Sequence, residues 1–330
     1  MQLKKIICLA LSSVLGASLI ACGNGNGDPE TKDVHVYMPD GAPAIALASL
    51  MNSGYDRADF TVVPASDIGA QVSTGAADMA MMPINAAATL YNKGVQIVML
   101  TVNTHGNLFV VGGEEIDGLD GLKGKRLGVI GEANVPDLTL KMLADELDVE
   151  LEKSETATDG KIVVRYAADG GALMPLLKTG AVDYALLAEP AVTTAVGATG
   201  KQVVMDMQEL WKNTFDGEYP QACLVAKKSL VQNDKSYVDG FIAALKSSDG
   251  WAEDNADKAV EVIGEHMKSG TVSTLTTLNK SIVERCNIRT VSAQSAKTDC
   301  AAFFAKLTHI QTAIGTALDK APDDGFYYNA

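Results

Sequence analysis

Two carboxylates, Glu132 and Glu189, stand just past the apolar runs Arg126-Leu127-Gly128-Val129-Ile130 and Tyr184-Ala185-Leu186-Leu187-Ala188. So placed, they could hold an amine, an amidine or a protonated ring; they would equally suit the positive end of a helix, an interaction worth about 0.3 to 1 kcal/mol. Tyr37, Tyr166 and Tyr219 could stack on a flat ligand. Groups able to make and break bonds are harder to find. No GxSxG, HExxH, CxxC or GxxxxGK[ST] pattern follows residue 21. His35, His105, His266 and His309 lie far apart with no metal-ligand spacing. His105, in the turn Asn103-Thr104-His105-Gly106, is the one whose position should approach a binding cleft. The expectation is therefore a site that binds, with no catalytic residue, metal or cofactor.

Covalent chemistry of another kind is written at the amino end. Lys4 and Lys5 precede an apolar stretch from Ile6 to about Ala21, which closes on Leu19-Ile20-Ala21-Cys22. A basic start, a short apolar region and small residues before a cysteine read as a secretory leader cleaved ahead of Cys22, which then carries acyl chains such as palmitate. The stretch is shorter than the ~20 residues of a spanning helix, and Ser12, Ser13 and Ser18 dilute it. The run Gly23-Asn24-Gly25-Asn26-Gly27-Asp28-Pro29-Glu30 that follows is a flexible tether. A globular body outside the cytoplasm, lipid-anchored to the membrane at Cys22, is expected.

With Lys4 and Lys5 gone, the 27 basic residues fall to 25 against 41 acidic ones, a formal charge of −16. Such a surface repels phosphate backbones, so nucleic acid is not expected as a partner. About 300 residues exceed a comfortable single core, and two domains follow as the prior. Of the cysteines left after Cys8 and Cys22, Cys223 sits in the strand-like run Gln221-Ala222-Cys223-Leu224-Val225-Ala226 as a small hydrophobe. Cys286 and Cys300 could pair or could be two core thiols; spacing does not decide.

The elements that would position a site come from a duplication. Gln71-Val72-Ser73-Thr74-Gly75-Ala76-Ala77-Asp78-Met79-Ala80-Met81-Met82-Pro83-Ile84-Asn85 aligns with Leu176-Leu177-Lys178-Thr179-Gly180-Ala181-Val182-Asp183-Tyr184-Ala185-Leu186-Leu187-Ala188-Glu189-Pro190. Each copy reads as a helix ended by glycine, a polar turn, a short apolar strand and a further helix over 86–91 or 191–196. Strands without alternation are buried on both faces, as in parallel sheets. Upstream, Val34-His35-Val36-Tyr37-Met38 and Arg126-Leu127-Gly128-Val129-Ile130 open the two copies, and 61–67 and 163–169 supply a second strand and loop. Two βαβα units mean two α/β sheets. Ligands of open α/β sheets bind beyond the carboxyl ends of the strands. That rule selects the loops holding Pro39, Asp40, Gly41 and Ala42; Pro83 and Asn85; Glu132 and Asn134; Asp169 and Gly170; and Glu189, with Asn103, His105 and Tyr219 expected close by.

Several ordered motifs carry a resemblance. They are Gly121-Leu122-Lys123-Gly124-Lys125-Arg126-Leu127-Gly128-Val129, the two Thr-Gly-x-x-Asp copies, Tyr219-Pro220-Gln221-Ala222-Cys223-Leu224-Val225-Ala226, Asn255-Ala256-Asp257-Lys258-Ala259 and Pro322-Asp323-Asp324-Gly325-Phe326-Tyr327-Tyr328. From residue 34 onward the chain resembles a solute-binding protein of an ABC importer, in the branch with nitrate-, sulfonate-, taurine- and thiamine-pyrimidine-precursor-binding members. The resemblance implies an α/β, two-lobed type II periplasmic-binding fold, each lobe a sheet flanked by helices, joined by two crossover segments. It places the crossings near 112–120 and 216–221. Lobe one then holds 34–113 plus 222–330, lobe two holds 114–221, 1–21 is the leader and 22–33 the tether. A helix over 237–251, with Val238, Phe241, Ile242 and Leu245 as its stripe, packs on lobe one. A small-molecule ligand, ABC permease and ATPase subunits as partners and a monomeric state are implied. The alternatives are a ligand-sensing or adhesive surface lipoprotein and, less favoured, an enzyme on the same fold; the cysteine cluster of the yeast-type pyrimidine synthase is missing.

Overall fold

The computed structural model describes residues 32–330 apart from 272, 274, 276, 313 and 314. The expected leader, Cys22 and nearly all of the tether lie outside the described residues.

Parallel strands buried on both faces need apolar residues without alternation, and the central strands have them: β3 (Met79–Pro83) reads MAMMP and β9 (Tyr184–Ala188) reads YALLA, with four buried residues each. The first sheet also contains β1 (Val34–Pro39), β2 (Ala58–Val63), β4 (Ile97–His105), β11 (Pro220–Lys227) and β12 (Ile288–Ser292), in the order β12-β4-β11-β3-β1-β2. The second contains β5 (Leu108–Gly112), β6 (Arg126–Ile130), β7 (Leu151–Lys153), β8 (Ile162–Ala167) and β10 (Gln202–Asp206), in the order β10-β5-β9-β6-β8-β7. Helices flank both, and each sheet with its helices forms one lobe.

The duplication is visible in the pairing. β1 lies parallel between β2 and β3, and β6 parallel between β8 and β9. In each lobe the next strand is antiparallel and arrives from the other lobe: β11 beside β3, β5 beside β9. The repeated aspartates do one job twice. Asp78 Oδ2 accepts from His35 N at 3.1 Å and Asp183 Oδ2 from Arg126 N at 2.8 Å, so each carboxylate pins the start of the neighbouring parallel strand. Each is also met by a cation at 2.7 Å, Lys227 on Asp78 and Arg126 on Asp183. The Arg126 guanidinium holds the Asp183 carboxyl below the usual carboxylate range. Gly75 and Gly180, at φ 75° and 73°, make the left-handed turn that precedes each aspartate.

The chain passes between the lobes at 106–107, and again at 216–219 after the helix Met207–Phe215. The first passage comes earlier than the expected 112–120, because β5 pairs with β9 and β10 of the second sheet. Leu108–Gly112 therefore belongs with the second lobe, whereas 34–113 was expected in the first. The stripe expected over 237–251 is split: one helix ends at Ser247, and a short helix Trp251–Asp254 follows Gly250 at φ 82°. In the longer helix Val238, Phe241 and Leu245 are buried and Ile242 is half-buried. Cys223, Cys286 and Cys300 are free buried thiols, with no bridge between the last two, and burial pushes Cys300 up to about 12. Among the described residues no helix is long and apolar enough to cross a membrane.

Candidate ligand cleft

Between the carboxyl ends of the two sheets lies a cavity of about 430 Å³, the size that small-molecule sites commonly have. Lobe one contributes Pro39, Asp40, Gly41, Ala42 and Pro43 after β1, Pro64, Ala65 and Ser66 after β2, and Pro83 at the end of β3. Lobe two contributes Ile130 at the end of β6 with Gly131 and Asn134 beyond it, Ala168, Asp169 and Gly170 after β8, and Glu189 and Pro190 after β9. The crossing strands add Thr104, Asn107, Gln221 and Ala222. A larger depression of about 770 Å³ lies at the other end of lobe two, around Arg126 and Asp183. Those two side chains already satisfy each other there, and open α/β sheets offer their free helix N-termini at the carboxyl ends instead.

Local geometry explains several wall residues. Gly41 sits at φ 100° as the N-cap of the helix Ala42–Ser53, a conformation that favours glycine, and Pro43 occupies the first turn, where its missing N–H costs nothing. Asp169 caps the helix Gly170–Lys178 by accepting from Ala172 N at 2.9 Å. A Cβ on Gly170 would lie 2.7 Å from Ala191 Cβ, so glycine lets two helix starts meet at the wall.

Glu189 is the most constrained wall residue. Its side chain is fully buried and accepts from Thr193 N at 3.2 Å and Thr193 Oγ1 at 3.0 Å. Arg285, on the helix Lys280–Arg285 just ahead of β12, reaches it from lobe one, with Nη2 2.6 Å and Nε 2.8 Å from Oε1. A second cross-lobe bond runs from Asn85 Nδ2 to Ala133 O at 3.1 Å. Arg285 does not itself line the cavity, yet it neutralises the carboxylate that could have held a cationic ligand.

Nine of the expected site residues line the cavity: Pro39, Asp40, Gly41, Ala42, Pro83, Asn134, Asp169, Gly170 and Glu189. Five do not. Asn85 is 5 % exposed and spends its amide on the cross-lobe bond. Asn103 is buried in the first sheet, where it accepts from Thr101 Oγ1 at 2.7 Å and donates to Thr290 Oγ1 at 3.3 Å. His105 is buried with Nε2 3.3 Å from Arg289 O, and burial, then the Arg289 charge, lowers it to about 4. Glu132 points away to Lys153 at 2.6 Å. Tyr219 is buried at the second crossing, donating to Gln208 Oε1 and packed 5.1 Å from the Trp211 ring. The expected stacking partners are also engaged elsewhere or off the wall, since Tyr166 donates to Asp137 Oδ1 at 2.8 Å and Tyr37 does not line the cavity.

Sequence reasoning missed Ser66, Thr104, Asn107, Gln221 and Thr271 on the wall. Gln221 carried a signal, being inside the motif Tyr219-Pro220-Gln221, whereas Asn107 was hidden by the misplaced crossing. Among the described residues no group of His, Cys, Asp and Glu is arranged to hold a metal ion.

Residues 61–259 match the family described as NMT1/THI5 like. The chain belongs to that family. An ABC transporter protein from Parabacteroides distasonis is similar in structure, with a TM-score of 0.71 and 23 % identity over 91 % of this chain and 99 % of that one. The periplasmic aliphatic sulphonate binding protein SsuA from Escherichia coli gives 0.61 and 11 % over 91 % and 94 %. The alkanesulfonate-binding protein SsuA from Xanthomonas axonopodis pv. citri, bound to MOPS, gives 0.59 and 15 % over 84 % and 94 %. No curated protein sequence matches. The NMT1/THI5-like membership and these likenesses fix the type II periplasmic-binding fold.

Proposed function

We propose that this protein is the extracytoplasmic, lipid-anchored solute-binding component of an ABC import system. It captures one small organic molecule between its lobes as a monomer and hands it to a membrane permease served by an ATPase. The observation that carries the reading is the cavity itself. It is walled by equivalent loops of both lobes and bridged at two places, Arg285 to Glu189 and Asn85 to Ala133. A two-lobed binder that closes on its ligand by hinge motion needs such contacts, made only when the lobes meet. The ABC-importer likeness of the solved relatives supports delivery to a permease, and the Leu19-Ile20-Ala21-Cys22 sequence supports the anchor at Cys22.

The test is to purify the full chain from its host, denature it and identify released small molecules by mass spectrometry. Readdition of the released compound should stabilise the fold by about 2.7 kcal/mol at a hundredfold excess over Kd and return it unchanged. Chemical conversion of the compound would move the protein to the enzyme class. For the anchor, Cys22→Ala should release the protein from the membrane fraction; cellular protein that still carries residues 1–21 would refute it.

A further inference from the structure

The solute-binding reading leaves the ligand's chemistry open, but the cavity wall has a sign. Asp40, Asp169 and Glu189 line it, and no Lys, Arg or His does among the described residues. Helix N-termini would ordinarily supply the missing positive potential, about half an elementary charge each, and would draw an anion. In lobe two the chain's own carboxylates already sit at the helix starts, two of them accepting from helix N–H groups and the third in a first turn. Asp169 Oδ1 accepts from Ala172 N at 2.9 Å, and Glu189 Oε2 accepts from Thr193 N at 3.2 Å. Asp137 Oδ2 accepts from Ala133 N at 2.8 Å, in the turn that opens the helix Val135–Glu146. Arg285 is spent on Glu189 at 2.6 Å and Lys141 on Asp137 at 2.9 Å.

A second observation is independent of charge. Asn107, on the wall at the first crossing and 1 % exposed, has no hydrogen-bond partner for its Oδ1. Its Nδ2 faces Cys286 O at 3.4 Å, which fixes which end of the amide is oxygen, because the flipped amide would set two acceptors together. An orphan acceptor at the wall calls for a donor.

We propose that the cleft selects a small ligand bearing a protonated amine or amidine over one bearing a sulfonate, carboxylate or phosphate. Asp40 from lobe one and Asp169 from lobe two receive its N–H groups, while the prolines and alanines of the wall cover its apolar remainder. An anion in the same place would exchange its hydration for the carboxylates of both lobes, a repulsion that discriminates as strongly as any attraction. The proposal rests on the solute-binding reading above.

Benzamidine and benzenesulfonate share a ring and differ in the sign of their charged group, so calorimetric titration of the full chain with each isolates the sign. Benzamidine should bind at least about tenfold tighter, about 1.4 kcal/mol, and should raise the Tm. Asp169→Asn keeps a side chain that caps a helix as well as aspartate does, so it should fold, yet it should shrink the preference to within about threefold. Asp40→Asn should act in the same direction. Equal or tighter binding of benzenesulfonate, no binding of benzamidine, or a preference that survives both asparagine variants would overturn the proposal. None of these touches the solute-binding reading, which is judged on released compounds whatever their charge.

Discussion

Arg285 of lobe one and Glu189 of lobe two meet beside the ligand cavity, Nη2 to Oε1 at 2.6 Å, with the carboxylate fully buried and the guanidinium partly exposed. The pair exists only while the lobes are together, so its free energy belongs to closure. Arg285→Ala leaves Glu189 with Thr193 and removes a charged hydrogen bond, worth about 1.5 to 3 kcal/mol. The closed form should lose ground by that amount, giving a larger radius of gyration by small-angle scattering and ligand binding weaker by roughly tenfold or more. Unchanged scattering and affinity would remove Arg285 from the closing mechanism.

Asn85→Ala should act in the same direction and less strongly. Its amide donates to Ala133 O at 3.1 Å across the cleft, but its Oδ1 is buried without a partner. Deleting the side chain loses a neutral bond worth about 1 kcal/mol and relieves an unmet acceptor, so the net loss of affinity should stay below about 1 kcal/mol. In a double-mutant cycle with Arg285→Ala the two losses should add, since the residues share no partner. A larger loss for Asn85 than for Arg285 would reverse this ranking.

Much of this architecture could be read before any coordinates. The unalternated runs of β3 and β9, each behind a Thr-Gly-x-x-Asp turn, announce the buried parallel part of two sheets that are mixed overall, and the aspartates prove to clamp equivalent strand starts at His35 and Arg126. The loops at the carboxyl ends followed from the strands, which is why Asp40, Asp169 and Glu189 of the cavity wall are among the expected residues. The first crossing was not legible, because β4 and β5 both read as strands and only Gly106-Asn107 separates them. Arg285 was invisible for a different reason. It reaches Glu189 across 96 positions of sequence, and no local pattern on a short helix marks so distant a partner.

The burial of His105 makes a pH prediction. Its folded value is lowered to about 4 from 6.5, first by burial and then by Arg289. A depressed histidine stays neutral when folded and takes up a proton when unfolded. Its contribution is therefore complete above pH 6.5 and is lost as pH falls from 6.5 towards 4, by about 3 kcal/mol at about 1.4 kcal/mol per unit. Denaturant titrations at pH 7 and pH 4.5 should show a smaller difference in His105→Gln than in wild type. Equal differences in both proteins would mean that His105 is not held neutral by the fold.

Gly106 tests the crossing itself. Its N–H donates to Tyr219 O at 3.1 Å, joining the two crossing segments, and a Cβ there would lie 2.6 Å from Tyr219 Cζ and 2.8 Å from Gln208 Cγ. Tyr219 cannot retreat easily, because its ring is buried against Trp211 and its hydroxyl is bonded to Gln208. Gly106→Ala should therefore destabilise the fold by about 1 to 3 kcal/mol, the usual cost of overpacking. Tyr219→Leu shortens the ring that the new methyl would strike, although it forfeits the Gln208 bond. The double variant Gly106→Ala with Tyr219→Leu should accordingly lose less than the sum of the two single losses. Strict additivity in a chemical-denaturation cycle would show that the methyl and the ring do not meet, and that the crossing tolerates a side chain at 106.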